Sequence, residues 1–488
     1  MRIGDLVDEL PGLALDGDPR LEVRGVSHDS RRVRPGWIFA AVPGHRVHGA
    51  DFVAQAMLNG AVAVLSDRPR PADSGMPWLT SPAPRRHMAA VAWLLAGEPQ
   101  KRLRAVGVTG TNGKSTTVNL IAGMLSRAGE PTVEIGTLGL RGLDGVLVAG
   151  QRTTPEATDL APLLAAALAD GAAAVAMEAS SHALVQERLS GIAFDAAVWT
   201  NLTRDHLDYH GDMEGYFSAK RRLFEDHLAP GGRRVLPADD PWAARLLAEP
   251  RREDVTWGID GGDVRARDVS ADLDGLRFEL VARGASIPVE VGLVGTHNLR
   301  NVLAAAATAW ALGASLDAVR AALAAARPLP GRLEPVDTPL PFPVFVDYAH
   351  TPGGLQAMLA ALCEVTDRRL LVVFGAGGDR DRGKREPMGR AVGELADLAI
   401  VTSDNPRSED PQAIADAVAG GVRATGREPL VVLDRREAIA VALSRADDRS
   451  LVVVAGKGHE AAQTIGAETL PFSDVEVVRE EAGRMSCG

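Results

Sequence analysis

Short apolar runs that end in polar residues alternate with longer helix-like stretches along much of this chain. In the last third, five such runs are separated by stretches with helical spacing. This alternation predicts parallel sheets that are covered by helices on both faces. Ligands bind at the carboxyl ends of strands in such sheets, so the polar residues that follow each run are candidates for chemistry. The five runs are 344–346, 370–374, 398–401, 430–433 and 451–454.

The middle of the chain shows the same pattern with a glycine loop inserted. Residues 104–109 predict a strand, which leads into a glycine-rich loop and then into a helix over 115–127. Two further short apolar runs, 173–177 and 196–200, also end in polar residues. The pattern therefore favours a central doubly wound, mostly parallel sheet that carries a phosphate-binding loop.

Two junctions interrupt the pattern at 97–102 and 327–331, and both contain proline and glycine, which mark boundaries. A chain of 488 residues is too long for one ordinary core. The junctions divide it into three predicted domains of ordinary size. Their bounds are 1–98, 99–328 and 329–488.

Composition narrows the class of protein. Hydrophobic residues make up 46% of the chain but aromatics only 4%, so the cores must consist of Ala, Val and Leu, as in α/β domains. A net charge of −11 argues against nucleic acid or a membrane surface as the main partner. Cys363 and Cys487 lack metal-ligand spacing and suit a reducing cytosol. The N-terminus lacks signal-peptide features, and the longest apolar stretch, 302–316, is broken by Gly313. We expect a cytoplasmic protein without membrane insertion.

Lysine is rare: only five of the 53 basic residues are lysine, and the rest are arginine. An ammonium on a flexible stem can bridge phosphates or react at nitrogen, whereas a delocalised guanidinium does both poorly. The retained lysines therefore indicate sites of lysine chemistry, and four of the five lie in recognisable motifs. The five are Lys101, Lys114, Lys220, Lys384 and Lys457.

The glycine loop has the features of an ATP phosphate site. It follows a predicted strand and opens a helix, so its backbone amides and the helix N-terminus would cradle phosphates. Lys114 would bridge the β- and γ-phosphates and Ser115 would hold Mg²⁺, although Val108 replaces the usual first glycine of the pattern. The alternative is an ordinary glycine-rich turn. The predicted ATP contacts are Gly110, Thr111, Asn112, Gly113, Lys114, Ser115 and Thr116.

Metal ligands are expected at the two strand ends that follow. Glu178 comes at the end of the second run, and the segment 201–210, with His206, follows the third. Carboxylates and imidazoles are suitable ligands for a metal beside the phosphates. Either residue alone could be an ordinary satisfied polar group.

At this point the motifs identify a family, because the chain resembles the Mur ligases of peptidoglycan synthesis, and within them the MurE type. The resemblance spans almost the whole length and is specific. Its residues are GTNGKSTT at 110–117, TTP at 153–155, EASSHAL at 178–184, TNLTRDHLDYHG at 200–211, GTHNLRN at 295–301, DYAHTP at 347–352, GAGGDRDRGKR at 375–385, DNPR at 404–407 and AGKGHE at 455–460.

The resemblance implies an ATP-dependent, ADP-forming amide ligase of cytoplasmic peptidoglycan precursor synthesis. It implies that meso-diaminopimelate is added to UDP-MurNAc-L-Ala-D-Glu through an acyl phosphate, with Mg²⁺ as cofactor. It also implies a smaller N-terminal α/β domain for the nucleotide sugar and a Rossmann-like C-terminal domain for the amino acid. Lys220 would be carbamylated by CO₂ and help bind the metal. We expect a monomer.

The resemblance also assigns residues. The catalytic set is Lys114, Lys220, His206 and Glu178, and the metal set is Ser115, Glu178, His206 and carbamylated Lys220. Further nucleotide contacts are Asn298, Arg332 and Asp347. The UDP-MurNAc-peptide would contact Ser30, His45, Arg46, Val47, Thr153, Thr154, Ser180, Gln186 and Arg188. The amino acid would contact Arg380, Asp404, Asn405, Pro406, Arg407, Gly456 and Glu460.

The amino-acid pocket decides the subtype. Diaminopimelate differs from lysine by a second carboxylate, which the planar guanidinium of Arg407 could bind through two hydrogen bonds, while Glu460 could hold the neighbouring ammonium. The alternatives are L-lysine or L-ornithine as the added amino acid, with the segment 404–407 a simple turn before a helix. One departure from the family is His297, where an aromatic residue is more usual.

Other enzymes with the same core remain as alternatives. These are the ligase that adds D-alanyl-D-alanine and folylpolyglutamate synthetase, neither of which should need the Arg407 pocket. A binding protein gated by ATP would not need Lys220 or His206, and a simple P-loop kinase would not need the third domain.

Overall fold

The computed structural model describes residues 1–44, 47–72, 74–148, 150 and 152–486. These form two compact units. The first unit consists of Met1–Thr109, Gly129–Val198 and Ala219–Arg234, and the second of Gly110–Ala128, Trp199–Ser218 and Val235–Gly488. The three domains with bounds at 98 and 328 stay a prediction.

The first unit begins with a small five-stranded sheet. Its strand order is β1-β5-β4-β3-β2, in which β2 to β5 run parallel and β1 is antiparallel. The buried side chains of Phe39, Val64 and Trp78 form a core on this sheet. The elements are α1 (Ile3–Glu9), β1 (Ala14–Asp16), β2 (Gly25–Ser27), β3 (Trp37–Ala41), α2 (Val53–Leu58), β4 (Ala61–Ser66), β5 (Trp78–Thr80) and α3 (Pro84–Leu95).

A second sheet follows in the chain. Its elements are β6 (Arg104–Thr109), α4 (Lys114–Arg127), β7 (Thr132–Gly136), β8 (Gly139–Arg141), β9 (Leu147–Val148), α5 (Ala157–Ala169), β10 (Ala174–Glu178), α6 (Ser181–Val185), β11 (Phe194–Trp199), α7 (Leu207–His210), α8 (Met213–Glu225) and β12 (Leu228–Pro237). In the first unit the strand order is β9-β8-β7-β10-β6-β11-β12. Strand β10 is parallel to both β6 and β7 and is buried along its whole length, which explains its unbroken apolar sequence.

The predicted doubly wound region also carries antiparallel strands, so its sheet is mixed. In the first unit β7, β8 and β9 pair antiparallel. In the second unit the order is β12-β13-β14-β15-β16, with β14 to β16 antiparallel. Helix α10 packs on α4 there, and both carry buried faces. The added elements are α9 (Ala243–Leu247), β13 (Val255–Gly258), β14 (Val264–Asp272), β15 (Gly275–Ala282), β16 (Ala285–Val291), α10 (Thr296–Ala311) and α11 (Leu316–Ala325).

The C-terminal part of the second unit is a three-layer α/β fold. Its sheet order is β17-β18-β22-β19-β20-β21, parallel except for β17. Helices α12, α13 and α14 form one core with it, and α15 and α16 form the other. The elements are β17 (Glu334–Pro335), β18 (Val344–Asp347), α12 (Pro352–Val365), β19 (Arg369–Phe374), α13 (Arg385–Leu395), β20 (Leu398–Val401), α14 (Pro411–Arg423), β21 (Leu430–Val431), α15 (Arg435–Arg445), β22 (Ser450–Ala455), β23 (Ala462–Ile465), β24 (Glu468–Pro471) and α16 (Asp474–Ser486).

The predicted strands of this part are confirmed, with shifted ends. The run 398–401 coincides with β20, whereas the run 430–433 gives a strand that ends at Val431. The alternation of strands and helices also places each polar segment after a strand, as expected. Within the part of the chain that the structure describes, we find no helix both long and apolar enough to cross a membrane.

Candidate active site

The glycine loop between β6 and α4 is built so that only glycine fits at two positions. Gly110 has φ +151° and Gly113 has φ +82°. A Cβ atom would lie 1.8 Å from Thr200 Oγ1 at the first position and 2.1 Å from Asn301 Oδ1 at the second. Any side chain would therefore displace the loop from the residues that surround it.

The segment after β11 fastens the glycine loop. The backbone N–H of Asn112 donates to Asn201 Oδ1 at 3.0 Å, and Thr200 Oγ1 donates to the carbonyl of Asn112 at 2.7 Å. Thr111 Oγ1 donates to the carbonyl of Thr203 at 3.1 Å and accepts from its N–H at 3.0 Å. The motif that was predicted to follow the third strand therefore determines the shape of the loop.

Three predicted nucleotide residues meet at this loop. The Lys114 ammonium donates to the carbonyls of Gly110 at 3.1 Å and Thr111 at 2.9 Å. Arg332 Nη2 donates to the buried Ser115 Oγ at 3.3 Å, and its guanidinium lies 4.8 Å from the centre of the Tyr348 ring. Two cations are thus positioned beside the helix N-terminus, where anionic phosphates are favoured.

Two other predicted nucleotide residues bind backbone in the structure. The Asp347 carboxylate accepts from the N–H of Leu333 at 2.6 Å and of Ala349 at 2.7 Å. Burial raises the pKa of Asp347, although the charge of Arg332 opposes the shift. Asn298 Nδ2 donates to the carbonyl of Val294 at 2.9 Å. Both side chains therefore help to position the backbone around Arg332, the arginine that contacts the glycine loop. Their direct contact with the nucleotide stays a prediction.

His206 belongs to a cluster of titratable groups that the sequence analysis assigned only in part. His206 has φ +53° and lies 3.4 Å from Asp205. Burial pushes the pKa of Asp205 up, but the charges of His206, His350 and Lys384 lower it overall. Burial lowers the pKa of His350, and the charge of Lys384 lowers it further. Both His350 and Lys384 lie in motifs that carry the family resemblance. The sequence analysis did not predict that the two residues lie close to Asp205.

In the first unit, Glu178 is held in one orientation at the end of β10. Thr137 donates from its N–H to Glu178 Oε1 at 2.8 Å and from its hydroxyl to Oε2 at 3.2 Å. A Cβ atom at Gly136 would lie 2.3 Å from the same carboxylate. A fixed, buried carboxylate suits a metal ligand.

Lys220 lies in α8 with 1% of its surface exposed. The proposed metal set of Ser115, Glu178, His206 and Lys220 has only two members among His, Cys, Asp and Glu. Across residues 1–44, 47–72, 74–148, 150 and 152–486, no group of three such residues could hold a metal ion. The predicted metal set also contains a serine hydroxyl and a modified lysine. Its role as a metal site therefore stays a prediction.

The residues predicted to hold the muramoyl-peptide form one network in the first unit. Thr153 Oγ1 lies 3.1 Å from the Thr137 hydroxyl. Thr154 Oγ1 lies 3.1 Å from Ser180 Oγ, which caps helix α6. Arg188 donates from Nη1 to the carbonyl of Thr154 at 3.0 Å and from Nη2 to Gln186 Oε1 at 2.6 Å. The structure therefore brings all five of these predicted residues together.

The predicted uridine contacts are less fully defined. The carbonyl of Ser30 accepts a hydrogen bond from Asn59 Nδ2 at 2.8 Å, and the side chain of Val47 is exposed. His45 and Arg46 lie outside the described residues. The roles of Ser30, His45, Arg46 and Val47 as substrate contacts stay predictions.

The segment 404–407 after β20 forms a buried polar network with the segment after β22. Asn405 Nδ2 donates to Glu460 Oε2 at 2.8 Å. Lys457, which is fully buried, donates to the same oxygen at 2.9 Å, to Asn405 Oδ1 at 3.3 Å and to the carbonyl of Ala462 at 2.6 Å. Gly456 has φ +114°, and a Cβ there would lie 2.7 Å from Asp404 Oδ2. The sequence analysis missed the role of Lys457, although the scarcity of lysine pointed to it.

Arg407 is directed back against the glycines after β19. It has φ +52°, and its Nη1 donates to the carbonyl of Gly378 at 2.7 Å. A Cβ atom at Gly378 would lie 1.9 Å from the carbonyl of Pro406, and one at Gly377 would lie 3.0 Å from Arg407 Nη1. Arg380 is exposed and donates to the carbonyl of Asp379 at 3.2 Å. The glycines therefore make room for the guanidinium and for the backbone of the segment 404–407.

The sequence patterns of three Mur ligase domains match this chain. The pattern of the Mur ligase family catalytic domain matches residues 22–92, that of the middle domain 108–309, and that of the glutamate ligase domain 331–458. Together with the α/β fold and the phosphate-loop geometry, these matches define the class. The chain belongs to the Mur ligase family, whose members are ATP-dependent ligases of peptidoglycan precursor synthesis.

Curated relatives share one name. The UDP-N-acetylmuramoyl-L-alanyl-D-glutamate--2,6-diaminopimelate ligase of Solibacter usitatus is 41% identical, covering 98% of both chains. The ligase of the same name from Streptomyces coelicolor is 44% identical and covers 98% of this chain and 96% of its own. A solved structure with this name is 33% identical, covers 100% of this chain and 99% of its own, and has a TM-score of 0.67.

More distant structures share the fold alone. The MurF ligase of Thermotoga maritima in complex with ADP is 20% identical, with a TM-score of 0.65 over 95% of this chain and 99% of its own. The folylpolyglutamate synthase of Mycobacterium tuberculosis complexed with ADP is 22% identical, with a TM-score of 0.63 over 82% of this chain and 94% of its own.

Proposed function

We propose that this ligase adds meso-diaminopimelate to UDP-MurNAc-L-Ala-D-Glu at the expense of ATP. The names of the relatives at 41% and 44% identity support this substrate pair. The observation that carries the choice of amino acid is the geometry of Arg407. Its guanidinium is fixed by the carbonyl of Gly378, and Asn405, two residues before it, donates to the Glu460 carboxylate. A cation and an anion held in these linked segments suit a zwitterionic amino-acid end.

The reaction follows from the chemistry of the two substrates. A carboxylate has no adequate leaving group, so the γ-phosphoryl group of ATP is transferred to it first, and the amine then attacks the acyl phosphate and releases phosphate. Both partners are anionic, which requires cations at the phosphates. Lys114 and Arg332 are positioned at the glycine loop to neutralise that charge, and Asn298 and Asp347 hold the surrounding backbone.

We propose that a magnesium ion would neutralise phosphate charge when bound. Glu178 offers a carboxylate already fixed by Thr137, and Ser115 and His206 offer further donors. Lys220, buried in α8, would become an anionic donor by reacting with CO₂ at its neutral amine. A ¹³C NMR carbamate resonance in the presence of ¹³C-bicarbonate, absent in Lys220→Arg, would support this modification.

The first test is the release of ADP with three amino acids offered separately: meso-diaminopimelate, L-lysine and L-ornithine. We expect turnover with meso-diaminopimelate alone. In Arg407→Gln the KM for diaminopimelate should rise about ten- to hundredfold, because a charge-assisted hydrogen-bonding pair is lost. The KM for ATP should stay within about twofold.

The matched control is Arg423→Gln in the same part of the chain, where the arginine pairs with Glu428 at the surface. It should change neither KM. A preference for lysine or ornithine would refute the diaminopimelate assignment but keep the ligase. No turnover with any of the three would refute the acceptor.

We also propose three domains with bounds at 98 and 328, a monomer, and a cytoplasmic location. Limited proteolysis should cut first near these bounds, and sedimentation should give the mass of one chain, 51.3 kDa. Cleavage within β10 or a dimeric mass would contradict these proposals.

A further inference from the structure

A buried carboxylate in the first unit lies among three arginines. The side chain of Glu156 is 3% exposed. Its Oε1 lies 2.5 Å from Arg152 Nη1 and 3.0 Å from Arg188 Nε, and its Oε2 lies 3.8 Å from Arg85 Nη1. The three arginines come from helix α3, from the segment before α5 and from the segment after α6. The chain therefore converges on this one carboxylate from three directions.

The charges of this cluster do not balance. Three guanidinium groups are positive at any physiological pH, and one carboxylate leaves a net charge of about +2. His28 adds no charge at neutral pH, because burial lowers its pKa. The charges of Glu156, Arg152, Arg85 and Asp159 all act on its ring, so His28 lies beside the cluster. Asp159 leaves the balance unchanged, because it is itself paired with Arg32 at 2.6 Å. Arg188 is largely buried, Arg85 is partly buried and Arg152 is 46% exposed, so this uncompensated positive charge is accessible from the surface and favours an anion.

Several hydrogen-bonding atoms of the cluster are also buried without use. Arg85 Nη1, Glu156 Oε2 and His28 Nδ1 have no hydrogen-bond partner among residues 1–44, 47–72, 74–148, 150 and 152–486. Leaving a buried donor or acceptor without a partner costs about 1–3 kcal/mol each, so such atoms usually have a purpose. The unused donor of Arg85 and the unbalanced charge point to the same kind of occupant, an anionic group with oxygen acceptors, whereas Glu156 Oε2 can only accept.

The cluster is continuous with the proposed muramoyl-peptide site. Arg188, which faces Glu156, also donates to the carbonyl of Thr154 and to Gln186. His28 lies in the motif at 26–31 that resembles the uridine-diphosphate cradle. An anion at the cluster would therefore be part of the nucleotide-linked dipeptide, which has anionic oxygens in its diphosphate and in its glutamyl carboxylates.

We propose that Arg85 and Arg152 bind an anionic group of the UDP-MurNAc-dipeptide, with Glu156 as the residue that positions both guanidinium groups. This rests on the proposed function. The D-glutamyl residue has two carboxylates, and only one can become the acyl phosphate. A cluster that binds the other carboxylate would select which of the two reacts. The diphosphate is the second source of the same chemistry.

Direct binding tests the proposal without turnover. Calorimetric titration of UDP-MurNAc-L-Ala-D-Glu should show about five- to fiftyfold weaker binding to Arg85→Gln and to Arg152→Gln than to the wild type. The matched control is Arg86→Gln, the next residue of α3, which pairs with Glu187 outside the cluster. It should bind within about twofold of the wild type. Thermal unfolding of each variant checks that the fold is kept.

A second ligand distinguishes the two sources of negative charge. In the D-isoglutamine analogue an amide replaces the α-carboxylate of the glutamyl residue. If the cluster binds that carboxylate, the loss caused by Arg85→Gln disappears with the analogue; if it binds the diphosphate, the loss remains. Wild-type affinity in both folded arginine variants would overturn the proposal. Failure of the wild type itself to bind the dipeptide would instead refute the proposed function.

Discussion

Two clusters of charge around a buried carboxylate in this protein use the same kinds of side chain in opposite ways. In the first unit, Glu156 faces Arg85, Arg152 and Arg188 with unequal charge and with atoms that lack hydrogen-bond partners in the described chain. In the second unit, Arg435 and Asp474 are fully buried and joined by two bonds of 2.7 Å. One cluster is open to an additional anion, and the other is closed.

The closed cluster shows what a balanced pair does. Arg435 Nη2 also donates to the carbonyl of Ala455 at 2.9 Å, and Nη1 to that of Ser403 at 3.4 Å. These carbonyls directly precede Gly456 and Asp404, the two walls of the proposed amino-acid pocket. The pair thus links the walls while leaving no charge for a ligand. Buried charge that is fully paired shapes a site, whereas buried charge in excess is available to bind.

The largest expected effect comes from breaking the closed pair on one side only. Asp474→Ala should destabilise the protein by about 3–5 kcal/mol, because it leaves the buried Arg435 charge without an anion. Urea unfolding at pH 7 measures this loss.

The double variant Arg435→Met/Asp474→Leu should recover most of that stability, since it removes both charges and keeps the volume. It should still raise the KM for diaminopimelate and not for ATP, because the two pocket walls are no longer linked. The neighbouring Arg436→Gln, at the surface beside Glu480, is the control. A double variant as unstable as Asp474→Ala would contradict this account.

A smaller effect is expected at Lys457, whose ammonium balances the Glu460 carboxylate. Burial pushes the pKa of Glu460 up, but the hydrogen bond and charge of Lys457 push it further down, so it lies below the ordinary 4.5. Because the pKa of Glu460 is lower in the folded chain than in the unfolded chain, its ionised carboxylate stabilises the fold above pH 4.5. This contribution is lost as the pH falls through the pKa of the folded state. Lys457→Met should therefore cost about 2 kcal/mol at pH 7.

The pH dependence sharpens this prediction. The difference in unfolding free energy between the wild type and Lys457→Met should shrink as the pH falls below 4.5, because the protonated Glu460 no longer needs a cation. Parallel urea titrations at pH 7 and pH 4 measure it. The control is Lys101→Met, which removes a surface lysine that pairs with Glu98. Its unfolding free energy should differ much less from that of the wild type at both pH values. An equal difference at the two pH values would disprove the pairing.

The sequence predicted what depends on short stretches of chain. The glycine loop and the strand ends at Glu178 and at 398–401 follow from local pattern. The pairings that matter most join distant residues. Arg85 meets Glu156 and Lys457 meets Asn405 only because the sheets bring their segments together, and no spacing in the sequence records such a contact.

The antiparallel strands β14 to β16 were missed for a different reason. The pattern of short apolar runs finds strands that are covered on both faces, but β14 and β16 alternate buried with exposed positions or are largely exposed. Such strands have weak apolar character along the chain. Sequence reasoning of this kind therefore predicts the buried middle of a sheet better than its edge.

The smallest predicted effect isolates a buried polar group with no charged partner. Burial lowers the pKa of His297 to about 4, and its buried Nδ1 makes no hydrogen bond with the described residues. Between pH 6.5 and about 4, His297 binds a proton in the unfolded chain but stays neutral in the folded protein. Acid therefore destabilises the fold. At pH 5.5 His297→Phe should already remove about 1–2 kcal/mol of this loss, seen as a flatter dependence of unfolding free energy on pH.

Unlike the two clusters, His297 has neither a partner to balance it nor an excess of charge to attract one. Its acid sensitivity should therefore be unchanged by ATP analogues or by UDP-MurNAc-dipeptide, whereas an anion at the Glu156 cluster should alter the acid sensitivity that His28 confers. An unchanged pH slope in His297→Phe would mean that the ring finds a partner after all. A slope that vanishes would show that the unpartnered ring of His297 alone causes this acid sensitivity, with no ligand involved, in contrast to the unbalanced charge around Glu156.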